Sequence, residues 1–154
     1  MAQPKFVFTL EPLLEIRRRA EKDKQRAVAA VQQRIGVLVR QVQEAQGVIA
    51  AQNRQLANEN LVGRLDLTFI SHEKRYVGSL LVMIAQCLQK MAVEETALAA
   101  ARQELLAAAR DRKIIEKLKE KQYARWREEQ AKIEAAFMDE IGTQLALRRM
   151  SEPE

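Results

Sequence analysis

Residues 28–56 read VAAVQQRIGVLVRQVQEAQGVIAAQNRQL. Apolar side chains recur alternately three and four apart, at Val28, Val31, Ile35, Leu38, Val42, Ala45, Ile49 and Leu56, with Gln52 as the polar member. This is a coiled-coil heptad with β-branched residues mostly at a. Extending the frame toward the N-terminus keeps Leu14 and Leu10 in register. It also places Arg17, Glu21 and Lys24 where apolar knobs belong, so the seam is polar near that end.

Working outward toward the C-terminus, the pattern lapses across residues 58–68. Asn58, Asn60 and Gly63 supply turn residues there, and Asp66 or Thr68 is suited to cap a new helix. A second seam then runs Ile70, Val77, Leu81, Ile84, Leu88, Met91, Glu95, Leu98, Arg102, Leu105 and Ala109. Two long helices joined by a short connection pack antiparallel. The expectation is an all-α fold, a single antiparallel two-helix coiled coil (helical hairpin) over residues 1–154. Its first helix covers about 12–60, its turn about 61–67 and its second, longer helix about 68–149. Pairing Leu56 with Ile70 makes facing residue numbers add up to about 126. In this frame the second seam fails at Arg112 and Glu116, and Ile115, Leu118, Trp126, Ile133, Phe137, Ile141 and Leu145 follow a looser helical period. The second helix would overhang the first by about thirty residues, with a length over about 100 Å at 1.5 Å per residue.

Composition agrees with long helices and excludes a thick core. Pro4, Pro12 and Pro153 leave no proline between Leu13 and Glu152, and there are five glycines. Charged residues make up 31% of the chain and aromatic residues 5%. Cys87 is the one cysteine, so no internal disulfide can form and a reducing cytosol is expected. The first thirty residues lack a signal-peptide run, and no stretch approaches about 18 uninterrupted apolar residues.

The net charge of +5 is concentrated. Residues 17–26 hold six basic and two acidic side chains, and residues 110–127 hold eight basic and three acidic. Residues 28–109 are close to neutral, and residues 128–154 carry seven acids against three bases. An antiparallel hairpin brings the two basic segments to one end. This pole is either a solvated helix face or a surface for a charged partner. Nucleic acid or an anionic membrane is the alternative partner; against it, only Tyr123 and Trp126 lie among the basic residues, and acids interrupt every run.

A second group stands out early in the second helix. Phe69, Tyr76, Leu80, Met83 and Cys87 recur at spacings of seven, four, three and four. In the frame above they fall at g and c, about 100° from the seam. A two-stranded hairpin has no third helix to cover them, so the expectation is an exposed apolar stripe, either a docking site or a patch buried by the connecting loop or by self-association.

Catalytic constellations do not emerge. His72, the only histidine, precedes Cys87 by fifteen residues, more than about 20 Å along one helix, so the two cannot share a proton or a metal. There is no glycine-rich phosphate loop, HExxH or CxxC, and Glu94-Glu95 and Asp139-Glu140 read as solvated helix residues. Neither catalysis, a metal nor a cofactor is expected.

The ends of the chain are more specific. The opening Lys5-Phe6-Val7-Phe8-Thr9-Leu10-Glu11-Pro12-Leu13-Leu14-Glu15-Ile16-Arg17 resembles the start of the flagellar export protein FliJ family. Phe137-Met138-Asp139-Glu140-Ile141 followed by Arg148-Arg149, preceded by the basic stretch from Glu116 to Gln122, is similar to its close. The resemblance implies an antiparallel two-helix coiled coil acting as a non-enzymatic stalk of the type III export apparatus. Its implied partners are the export ATPase hexamer, whose assembly and activity it promotes, the cytoplasmic domain of the export gate, and export chaperones, which it escorts. It implies a cytoplasmic protein held peripherally at the inner face of the membrane at the flagellar base, serving flagellum biogenesis and chemotaxis, with no nucleic acid. On this resemblance the gate-binding set falls on Tyr76, Leu80, Met83 and Cys87. ATPase-ring binding falls on the pole: Arg17, Arg18, Lys22, Arg26, Lys113, Lys117, Lys121 and Arg125. The equivalent stalk of a virulence secretion system is a further reading.

Overall fold

The computed structural model describes residues 5–59 and 67–151. Helix α1 spans Glu11–Glu59 and helix α2 spans Leu67–Ser151; the described residues contain no strand. The fold is all-α, two helices packed as an antiparallel coiled coil, with α2 the longer. Residues 60–66, including Asp66 and most of the expected turn, lie outside the described residues. Thr68, considered as a cap, is inside the first turn of α2.

The start of α1 follows from its sequence. The Leu10 carbonyl accepts the Leu14 N–H at 3.0 Å, opening the helical ladder, and the Glu11 N–H bonds the Phe8 carbonyl at 3.1 Å in the preceding turn. Pro12 then sits where its missing N–H is not needed, and Glu11 places a negative charge at the positive end of the helix dipole.

Two compact units divide the chain: one of Met1–Ala20 with Ala108–Glu154, the other of Glu21–Ala107. In the second unit the α1 seam is the expected one. Val31 and Ala45 are buried, and Glu21, Lys24, Val28, Ile35, Leu38, Val42, Ile49, Gln52 and Leu56 are half-buried. Three contacts set the register: Lys24 with Glu104, Arg34 with Glu94, and Gln41 with Cys87. Each pair of numbers adds up to 128, two residues from the expected pairing.

On α2 the seam differs from the expected one at alternate positions. Ile70, Val77, Ile84, Met91, Leu98 and Leu105 are covered as read, but their partners are Glu73, Leu80, Cys87, Glu94 and Ala101. Leu81, Leu88, Glu95 and Arg102, placed in the seam by sequence, are exposed, with Leu81 at 54% and Leu88 at 53%. The physical reason is local ambiguity. Leu80 and Leu81 are both apolar, as are Cys87 and Leu88, and neighbouring residues point about 100° apart. The frame chosen by packing puts the small Cys87 and Ala101 against α1 in place of Leu88 and Arg102. By length and composition α2 also holds a window apolar enough to cross a membrane, with little of it buried. Its richest stretch, 76–93, is interrupted by Gln86, Gln89 and Lys90, and its apolar side chains are shared among the seam and both flanks.

In the first unit the α2 seam does not fail where expected. Arg112, Ile115, Glu116, Lys119 and Trp126 are half-buried. From residue 131 to 148 every side chain is exposed, although the helix continues.

Candidate functional sites

The first unit contains an arrangement with no helical period to announce it. Residues 5–10 precede α1 and lie against α2. Phe8 is buried at 6% exposure, and Leu14, one turn into α1, is fully buried. The Phe6 ring meets Tyr123 edge-on at 5.3 Å and Trp126 at 5.9 Å, and Tyr123 stacks on Trp126 at 5.8 Å. Lys119 Nζ sits 5.8 Å over the Phe8 ring and donates to Glu11 Oε2 at 2.5 Å. Aromatic edges and a cation over a ring face are favourable geometries. The opening motif thus closes the end of the seam as an aromatic clasp. Sequence reading used these residues as a family signature and missed this contact. The concentration of Phe6 and Phe8 with Tyr123 and Trp126, in a chain so poor in aromatics, was the available signal.

The basic residues of the candidate ATPase-binding set fall into two kinds and two units. In the first unit, Arg17 Nη1 donates to Asp111 Oδ2 at 3.0 Å, and Arg18 Nη2 to Glu116 Oε1 at 3.2 Å. Arg112 also pairs with Glu116. Arg17 and Arg18 therefore fasten α1 to α2. Lys113, Lys117, Lys121 and Arg125 differ: all are exposed, and among the described residues none makes an ion pair. Spaced four apart, they form one cationic stripe on the outer face of α2. Like charges at i,i+4 disfavour a helix by a few tenths of a kcal/mol per pair, so the stripe opposes helix formation and can be relieved by an anionic partner. Lys22 and Arg26 belong to the second unit, where Arg26 donates to Asp23 at 3.3 Å and Lys22 is exposed.

The apolar set on α2 also divides. Tyr76 is 45% exposed and Met83 39%, as an accessible stripe requires. Leu80 and Cys87 are instead seam residues; Cys87 is 5% exposed and its thiol donates to Gln41 Oε1 at 3.6 Å. The expectation that all four lie off the seam is corrected by the one-residue shift in frame. The same shift exposes Leu81 and Leu88 beside the exposed Val82, giving α2 apolar side chains on both flanks of the seam.

Polar pairs hold the second unit's register. Arg34 donates Nε and Nη2 to both oxygens of Glu94 at 2.9–3.0 Å, and this hydrogen bonding holds the guanidinium above its ordinary pKa. A bidentate fork is orientation-specific and resists slippage along the seam. Lys24 Nζ donates to Glu104 Oε2 at 2.6 Å; the hydrogen bond first, and the charge second, hold that carboxyl below its ordinary range. A shallow groove beside the fork is lined by Arg34, Val37, Leu38, Gln41, Lys90, Val93 and Glu94. Its one acid, Glu94, is committed to Arg34. His72 is exposed near the start of α2, and no group of three metal-ligating side chains occurs among the described residues.

These features define a class: an antiparallel two-helix coiled coil whose seam ends in an aromatic clasp and whose surface carries one unpaired cationic stripe and apolar flanks. The family model for the flagellar FliJ protein matches residues 6–151. The chain belongs to that family. Comparison with curated proteins gives no match. A solved structure of a YscO homolog, CT670 from Chlamydia trachomatis, is similar at 19% identity and a TM-score of 0.43, covering 96% of this chain and 100% of that one.

Proposed function

We propose that this chain is a non-enzymatic stalk component of the flagellar type III export apparatus, cytoplasmic and held at the membrane through its partners. It binds the export ATPase ring, promotes its assembly and activity, contacts the cytoplasmic domain of the export gate and escorts export chaperones. Membership of the FliJ family over nearly the whole chain carries this reading. The unpaired stripe Lys113, Lys117, Lys121 and Arg125 is the ring contact best suited to exchange among non-identical subunits, because exposed charges attract at range and release without deep desolvation. In the other unit Lys22 is a separate exposed cation for the same kind of contact, while Arg17, Arg18 and Arg26 act while paired to acids. At the gate contact, Tyr76 and Met83 touch the partner, and Leu80 and Cys87 support them from the seam.

Stimulation of the cognate export ATPase tests the ring contact. Lys117→Glu with Lys121→Glu should weaken stimulation and its salt dependence while helical circular dichroism is unchanged; full stimulation would return the stripe to a solubility role. For the gate, Tyr76→Ala with Met83→Ala should abolish capture of the gate's cytoplasmic domain at unchanged helicity. A salt-dependent gel shift at physiological ionic strength, without ATPase stimulation, would favour the nucleic-acid alternative instead.

A further inference from the structure

The groove beside the Arg34–Glu94 fork has a one-sided hydrogen-bonding character. It encloses about 480 Å³, with Leu38 half-buried and Val37 and Val93 exposed in its lining. Its side-chain acceptors are occupied from within the molecule. Both Glu94 oxygens accept from Arg34, and Gln41 Oε1 accepts from the Cys87 thiol. The lining groups that keep unused capacity among the described residues are donors: Lys90 Nζ, the Gln41 amide nitrogen and Arg34 Nη1. Lys90 is exposed and makes no ion pair among the described residues. Apolar walls with spare donors and no spare side-chain acceptor fit a carboxylate carried beside an apolar side chain, and disfavour a basic one.

We infer that this groove receives an aspartate or glutamate side chain of the gate's cytoplasmic domain, with Lys90 as its counter-charge, an inference that rests on the gate contact proposed at Tyr76 and Met83. Continuity supports the same partner. Tyr76, Met83 and Lys90 stand seven apart, in one row along the flank of α2. An exposed lysine holds a free carboxylate weakly, whereas a carboxylate on a chain already docked at Tyr76 and Met83 meets it at high effective concentration. The helical rise sets Lys90 about 10 Å beyond Met83. The partner's acid therefore stands about seven residues along a helix, or about three along a strand, from the apolar side chain that covers Met83.

Calorimetric titration of the full chain with the gate's cytoplasmic domain, followed by carbodiimide coupling of the complex, tests this. Lys90→Glu should weaken binding roughly tenfold and flatten its salt dependence at unchanged helicity. Coupling of the wild-type complex should join Lys90 Nζ to a partner carboxylate as an amide, located by peptide mass spectrometry. Lys90→Arg keeps the charge and should bind like the wild type, yet lose that cross-link, because its guanidinium is not coupled. If Lys90→Glu binds as tightly as the wild type while Tyr76→Ala with Met83→Ala does not bind, the groove inference is overturned and the gate reading stands. If the wild type does not bind, or the Tyr76 and Met83 double variant binds as well as the wild type, the gate reading fails and the inference with it. A Lys90 cross-link between two copies of this chain, formed without the gate domain, would overturn the choice of partner.

Discussion

The two units solve the same problem with different means. In the unit Glu21–Ala107, helix packs on helix along heptad seams, with Arg34–Glu94 and Lys24–Glu104 fixing register. Among the described residues there, only Val31, Ala45 and Cys87 are buried, because a two-stranded seam leaves most knobs half-covered. In the other unit a non-helical segment packs against α2, and Phe8 on that segment and Leu14 one turn into α1 are both buried. A regular seam spreads small contributions over many layers, whereas a clasp concentrates them in a few side chains. Local stability should therefore be graded evenly in one unit and be sensitive to single residues in the other.

Truncating one buried aliphatic side chain in each unit breaks this comparison most sharply. Leu14→Ala should cost about 2–5 kcal/mol, whereas Val31→Ala, losing fewer methyl groups from a partly covered seam, should cost about 1–2 kcal/mol; thermal melts of both variants check the order. The clasp can be followed directly, because Trp126 is the only tryptophan. Phe6→Ala should red-shift its emission while mean helicity is retained, and an unshifted spectrum would mean that the ring contacts do not shield the indole. Within the seam, Glu73 places a buried carboxylate oxygen without a hydrogen-bond partner at a knob position. Glu73→Leu should therefore stabilise by about 1 kcal/mol in a denaturant titration.

Smaller effects sharpen the picture. Gly47 lies in open space inside α1, so Gly47→Ala should raise stability by about 0.5–1 kcal/mol through helix propensity alone. Glu104 has its carboxyl pKa lowered in the fold, so its pairing with Lys24 contributes stability above the unfolded-state pKa. That contribution is lost as pH falls through the lower folded-state value. Because the pair is exposed, the difference in melting between wild type and Glu104→Gln should be small at neutral pH, vanish in acid and shrink with added salt.

Much of this architecture was legible as a pattern. The α1 seam reads correctly from Val28 to Leu56 because its three–four alternation holds without a break over eight intervals, even where Val37 and Val39 flank Leu38 and Val48 precedes Ile49. On α2, adjacent apolar pairs such as Leu80-Leu81 and Cys87-Leu88 satisfy two frames, and a sequence pattern has no means to weigh the close approach that Cys87 and Ala101 permit. The consequence reaches the candidate gate contact, half of which is seam. The basic pole was visible as composition, but which cations are already paired was not. Arg17 and Arg18 find Asp111 and Glu116 nearly a hundred residues away, while Lys113, Lys117, Lys121 and Arg125 find no acid among the described residues.

By itself the sequence determined the helices, their antiparallel pairing to within two residues of register, and the segregation of charge. These are properties of period, length and the absence of proline between Leu13 and Glu152, and they are local. Only the tertiary structure decided which flank of α2 faces α1, which cations among the described residues remain free, and that Phe6 closes over Tyr123 and Trp126 while Phe8 lies beneath Lys119. Those outcomes depend on contacts between residues far apart in the chain, where the packing of two surfaces selects one of several arrangements that the local pattern allows equally.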